Sequence, residues 1–591
     1  MERAEADHSS PRWPLALLLL ITACTGVPAA DPTGRASLDL AAAFDRQPWA
    51  AGATEGRGLH LTARFDLPDD RVMRGSVLVL EGAWWTIQAT VNGTALPAAT
   101  GGLAPVELPV GPYLRAGANT LNLELSPPPP GTPPLLTGGG LASGARWKAD
   151  RADVQVAPRL ELRPEAHVQT VALPLEDGRV TPVARVAGAP VGSRVRFSVS
   201  LDGEQVAELG EGTVLDGRAT APATTWGLDA WRPGNPALYL VQAELLGPDG
   251  VLLDRFSRRS GALDVDADAA GVSVSGESAR VMAVRITSHD ADLPGRFAEL
   301  APGGVNGVEL HGELARSRWL DQADELGLPT IVVPRCVGRS NKGNPTAAIL
   351  AAQHAQDLRL VDHLAHHPSP VLWATEGSTA DSQKKNPGPP RVLYTDGLLE
   401  DPLDRPVTQH DLPARVQRVG PGTPGSAPYD SCEVEGCVGA WLTEVTWRGA
   451  PAPDMWVQMG ARTQHALTEG GALGVVIPTP QRRGDVTWAP AWAAVGAAVG
   501  AAPAPTGPFR AGSVVQLSGG RPGATVFVEA PGHPTVGTVL DETGAGAVRL
   551  WHVGPASVVA GDRRLPVTLS AGRWTDWVEQ PSPVGVTLSD G

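Results

Sequence analysis

The chain has 591 residues, enough for about four domains of ~150 residues each. Its formal net charge of −15 argues against nucleic acid as a partner. Lysine is confined to Lys148, Lys342, Lys384 and Lys385, while Gly (69) and Pro (56) exceed average usage, which points to a GC-rich genome as much as to a physical need.

In chain order, the first element is a short apolar run, Leu15 to Ile21, preceded by Arg12. It is too short to span a bilayer, which needs about 20 apolar residues, and it fits the apolar core of a signal peptide. The run leads into Ile21-Thr22-Ala23-Cys24, which resembles a bacterial lipobox. That resemblance implies a signal peptide over residues 1–24, lipidation at Cys24 and a membrane-held mature chain. Thr25 at the next position implies the outer membrane of a Gram-negative cell envelope. The alternative is an ordinary cleaved signal that happens to contain a cysteine. No later apolar stretch is long enough to cross a membrane.

Short alternating runs broken by turns follow, among them Ser76 to Leu80 and Ile87 to Val91. Asn92-Gly93 is a hairpin signal. This grammar predicts a first β-sandwich over residues 25–158. A second all-β block over 159–265 carries strands at Arg194 to Ser200 and Ala237 to Ala243. Near residue 280 strand-like runs begin to alternate with helical ones, such as Trp319 to Leu326 and Thr346 to His363. That βαβα rhythm predicts a parallel sheet, and residues 266–505 suit a (β/α)₈ TIM-like barrel. All-β grammar returns over 506–591 as a C-terminal β-sandwich-like module.

Sandwich, sandwich, barrel, then β module is the order of glycoside hydrolase family 2, and local motifs resemble that family. Asn92-Gly93 with Gly117-Ala118-Asn119-Thr120-Leu121 resembles turns of its jelly-roll domain. Trp231-Arg232-Pro233-Gly234-Asn235-Pro236, followed by Leu253 to Phe256 and Gly261, resembles its immunoglobulin-like domain. Leu320 to Leu328 resembles the helix before strand three, and His367-Pro368-Ser369-Pro370 to Trp373 resembles strand four. The resemblance covers about residues 36–505. It implies hydrolysis of O-glycosidic bonds of β-linked sugars by a retaining mechanism, with carbohydrate as partner and no cofactor.

Retaining chemistry needs two carboxyl groups about 5–5.5 Å apart, one protonating the leaving oxygen and one attacking the anomeric carbon. The acid/base glutamate should end strand four. Ungapped matching puts Gly377-Ser378 on the family's Asn-Glu pair, leaving Glu376 two residues early. Serine cannot donate a proton near neutral pH as a carboxylic acid can. The nucleophile candidates are Glu433 and Glu435, in a segment flanked by Cys432 and Cys437, whose closeness in sequence lets them pair in an oxidising envelope. Substrate-binding candidates are His289 and Asp290 after strand one, His311 ending strand two, Trp373 and Trp441. The cluster His363, His366 and His367 lacks the spacing of a metal site, and no metal is expected. The lost strand-four motif keeps open a second reading, a catalytically inactive carbohydrate-binding or scaffold lipoprotein.

Overall fold

The computed structural model describes residues 33, 35–45, 59–83, 86–101, 104–126, 156–268, 271–278, 281–286, 306–311, 317–336, 347–377, 401–405, 407–409, 442–444, 474–478, 509–575 and 578–588. It is β-rich and built of several units. Among the described residues there are two α-helices, α1 (Ser317–Leu326) and α2 (Ala347–Leu364).

The first unit is two sheets face to face. In Leu59–Leu67 the side chains alternate, so Leu61, Ala63, Phe65 and Leu67 are buried while Arg64 is exposed. This strand pairs antiparallel with Gly117–Ser126, which pairs with Thr86–Val91. Asn92 and Gly93 both have positive φ (49° and 84°), the geometry of a tight hairpin turn into Thr94–Ala95. The Asn92 amide donates to Asn119 Oδ1 (2.9 Å) and accepts from the Thr120 N–H (2.9 Å), so the two turn motifs noted in the sequence meet in space.

The opposing sheet was not legible as one object. Its order is Arg563–Leu569, Gly554–Ala560, Thr525–Glu529, Thr535–Val539, Ala36–Asp39, Arg159–Leu162, Val77–Leu80, Val106–Pro109. The C-terminal segment therefore continues the N-terminal sheet, through a parallel pairing of Ala36–Asp39 with Thr535–Val539. Phe527 and Val539 join the core formed by Leu38, Leu78, Leu80 and Leu160. Arg159–Leu162, which the sequence pattern assigns to the second block, pairs instead with Ala36–Asp39 and Val77–Leu80. The rest of the C-terminal segment has its own core around Val515, Val526, Leu540 and Val558.

The second unit is a seven-stranded antiparallel sheet in the order His167–Ala172, Val183–Ala187, Arg218–Thr220, Glu204–Leu215, Arg194–Leu201, Tyr239–Leu246, Leu252–Ser260, with a three-stranded sheet beside it. Phe197, Val199, Val241, Ala243 and Leu245 fill its core.

The third unit carries the parallel sheet. Eight strands, all parallel, are Val281–Ile286, Gly307–His311, Thr330–Val333, Arg335–Cys336, Pro370–Gly377, Val407–Gln409, Leu442–Glu444 and Gly474–Pro478. The first of these, Val281–Ile286, lies between Gly307–His311 and the last, Gly474–Pro478. Helix α1 ends at Gly327, whose φ of +66° is the left-handed stop that glycine supplies at lowest cost.

Ionic and aromatic contacts join the units. Glu529, 3% exposed, lies between Arg71 and Arg564. Glu325 of α1 receives Arg259 from the second unit and Arg549 from the C-terminal segment. Trp551 is covered by Arg259 and Arg510, at 4.3 Å and 4.8 Å from its ring centre.

Candidate active site at the strand ends

In a parallel sheet with covering helices, chemistry gathers at the C-terminal ends of the strands. Counting along the pairing order from Val281–Ile286, Pro370–Gly377 is the fourth full strand, the short Arg335–Cys336 lying on its edge. Counting the other way, Gly474–Pro478 and then Leu442–Glu444 occupy the last two places.

Glu376 is the penultimate residue of its strand, in register with Arg335. Ser378 follows the strand and lies outside the described residues. His311 ends Gly307–His311 in register with Val333. Glu376 and His311 thus stand at the same end of the sheet. Cys24, His289, Asp290, Cys432, Glu433, Glu435, Cys437 and Trp441 lie outside the described residues. Glu444, which sequence reading passed over, ends the strand next to the last one, in register with Val476. Its signal was the short segment Leu442-Thr443-Glu444-Val445-Thr446 between Trp441 and Trp447, too short to show a period.

Strand four is held from beneath by a buried polar set. Trp373 is 1% exposed, and its indole N–H donates to Asp401 Oδ2 at 2.8 Å. Asp401 Oδ1 also accepts from the Leu403 N–H (3.0 Å). The Arg405 guanidinium lies over the Trp373 ring, 5.7 Å from its centre, and donates to the Leu364 carbonyl that closes α2 (2.8 Å). Burial lowers the Arg405 pKa, against the opposing pull of Asp401. Sugar stacking needs an open ring face, so in this structure Trp373 is a packing residue that fixes the strand rather than a sugar contact.

The turn into strand four is fixed just as firmly. Asp324 of α1, 2% exposed, accepts from His367 Nδ1 (2.6 Å) and from the Ser369 N–H (2.9 Å). Its backbone carbonyl accepts the indole N–H of Trp231 (2.9 Å), which is fully buried. Gly261 lies against that tryptophan: a side chain there would come within 2.7 Å of Trp231 Cβ and 2.8 Å of the Ala237 carbonyl. The Trp-Arg-Pro-Gly-Asn-Pro motif and the later glycine therefore form one joint between the second and third units. Asp321, Asp324 and His367 bring ligand-type atoms within 4.8 Å of one another. Arg259 already occupies Asp321 (3.0 Å), and His367 and Ser369 occupy Asp324, so the trio serves as a brace.

This multidomain, β-rich body has the fold of glycoside hydrolase family 2 structures. The chain is similar to a GH2 β-galacturonidase from Eisenbergiella tayi, with 15% identity over 77% of this chain and 90% of that one, at a TM-score of 0.57. It is similar to Bacteroides uniformis β-glucuronidase, with 12% identity over 93% of this chain and 81% of that one, at 0.58. A Bifidobacterium dentium β-glucuronidase complexed with coumarin-3-O-glucuronide matches at 15% identity, covering 71% of this chain and 82% of that one, at 0.51. At these identities the likeness concerns the fold. No family model and no curated protein sequence matches the chain.

Proposed function

We propose that this chain is an exported, lipid-anchored glycoside hydrolase acting on β-linked sugars by a retaining mechanism. The parallel sheet is read as a (β/α)₈-type barrel and the first unit as a jelly roll. The observation that supports the reading is the place of Glu376, next to last in strand four of the parallel sheet, in a body with the fold of family 2 structures. Glu376 serves as the acid/base. The nucleophile comes from Glu433, Glu435 or Glu444, the last standing at the end of the strand next to the last one. The structural neighbours bind galacturonate or a glucuronide, so β-linked uronic acids are the first substrates to try. Lipidation at Cys24 places the body at the outer membrane of the envelope.

A second reading, a carbohydrate-binding lipoprotein without turnover, is favoured by Gly377-Ser378 at the family's Asn-Glu position and by the burial of Trp373. Purified protein is to be assayed on aryl β-glucuronides, β-galacturonides and neutral β-glycosides. Turnover should fall on the order of 10²–10⁴-fold in Glu376→Gln, and at least as far in one of Glu433→Gln, Glu435→Gln or Glu444→Gln. Turnover that survives all four changes would refute the assignment. Sugar binding with no turnover in the parent chain would establish the second reading.

A further inference from the structure

Among the described residues five large apolar side chains are exposed, all in the second unit; Leu201 and Val206, at 40% and 38%, lie on the hairpin at one end of its sheet, and the three most exposed lie at the other. Val191, Leu215 and Val251 are 98%, 71% and 56% exposed. All three belong to the second unit, and the pairing brings them to one end of it. The Ser193 carbonyl accepts from the Val214 N–H (2.9 Å), joining the loop of Val191 to the hairpin of Leu215. Gly192 lies against Pro248, with a Cβ there falling 3.4 Å from the proline Cβ, and the Val251 carbonyl accepts from the Gly247 N–H (2.8 Å). Pro190 and Pro248 are exposed between them. The three turns are tight: Gly192, Asp216, Gly217 and Gly250 all sit at positive φ. The opposite end of the same sheet is occupied differently. There Asp202 pairs with Arg510 of the C-terminal segment, and Gly203 lies against His552.

Arg35, just before the strand Ala36–Asp39, points to what covers the apolar end. Arg35 donates to Asp254 Oδ2 (2.5 Å) and to the Val168 carbonyl (3.0 Å), and it lies 4.7 Å from the Phe256 ring centre. Asp254 is three residues past Val251. Val168 pairs with Val186, whose N–H donates to Gly217 in the Leu215 hairpin. Arg35 is therefore pinned beside the apolar tip. It stands eleven positions after Cys24, a reach of at most about 40 Å. A lipid on Cys24 keeps that end of the second unit within the tether's reach of the bilayer.

We infer that the tip formed by Val191, Leu215 and Val251 is a second membrane contact, inserted into the bilayer surface beside the lipid on Cys24. This rests on the lipid-anchor reading above. One acyl attachment fixes position and not orientation. An apolar tip beside it fixes orientation as well, because burial of its side chains in the acyl boundary removes them from water.

The test is hydrogen–deuterium exchange on the full acylated chain in vesicles of phosphatidylethanolamine and phosphatidylglycerol. The comparison is the Cys24→Ser chain free in solution. Amides of Val191, Gly192, Asp216, Gly217, Asp249 and Gly250 should exchange at least about tenfold more slowly on vesicles, while Asp202 and Gly203 at the opposite end stay unchanged. The triple change Val191→Ser, Leu215→Ser, Val251→Ser should remove that protection from a chain still acylated and vesicle-bound. Intact mass reports acylation in the same samples. An acylated, bound chain with no slowing at these turns would overturn the tip alone, as would equal slowing in the triple variant. A chain never acylated at Cys24 would overturn the anchor and the tip together.

Discussion

Asp324 shows how much one side chain can organise. It accepts from His367 and from the Ser369 N–H, both fully buried, while its carbonyl takes the Trp231 indole. Because a carboxylate can only accept, the proton of His367 sits on Nδ1, facing it. Asp324→Ala strands two buried donors, and each costs about 1–3 kcal/mol. We expect a loss of roughly 2–6 kcal/mol, read as a lower urea midpoint followed by tryptophan fluorescence. Asp324→Asn keeps one acceptor and should lose less. The motifs around this residue were legible because each is contiguous: His-Pro-Ser, Trp-Arg-Pro-Gly-Asn-Pro and the helix before strand three. Their convergence was not legible, since Trp231 and Asp324 lie 93 positions apart and no local pattern encodes the approach.

At the scale of elements, the strand Thr535–Val539 does most to define the molecule. Its Gly537 faces Leu38 on one side and Phe527 on the other. A side chain at Gly537 would come within 2.6 Å of the Phe527 ring and 2.8 Å of the Val526 carbonyl. Glycine lets the phenylalanine lie across the strand and reach the first core. Gly537→Val should therefore destabilise by about 1–3 kcal/mol, as overpacking does, and should speed proteolytic release of the C-terminal segment. Gly585 provides the contrast, since a side chain there meets nothing within 4 Å; Gly585→Ala should leave both measurements unchanged. Four of the five residues of Thr535–Val539 are β-branched, which suits a strand, and its parallel partner is what the sequence hides. The contact of Arg71 with Glu529 spans 458 positions. Turn chemistry fixes hairpins locally, whereas a parallel pairing between chain ends leaves no turn to read. The strand ends were legible to different degrees for a related reason. Pro370–Gly377 announces itself over eight residues, while Leu442–Glu444 has three.

For the whole molecule, the same joints imply a response to acid. Burial, with Arg163 and Arg35 adding to it, lowers the His167 pKa from 6.5 to about 4. Burial, then His552 and Arg510, lowers that of His533 from 6.5 to about 3. In both cases the fold favours the neutral ring, so the unfolded chain binds more protons between the two pKa values. Stability from these histidines is complete above pH 6.5 and is lost as pH falls from there toward 4 and then 3. Each can contribute at most about 1.4 kcal/mol per pH unit over its window. His167 faces Arg163 and Arg35, and His533 packs on His552, 4.5 Å between ring centres, in the C-terminal segment. Acid therefore loads the contacts between units, where Arg510 and Asp202 also meet. Calorimetry should find the melting temperature falling steadily from pH 6.5 to pH 4, with His533→Leu showing a shallower fall than the parent chain. A parent chain whose melting temperature is flat over that range would mean that these rings are hydrated in the folded protein, and the compact joint around His533 would have to be redrawn.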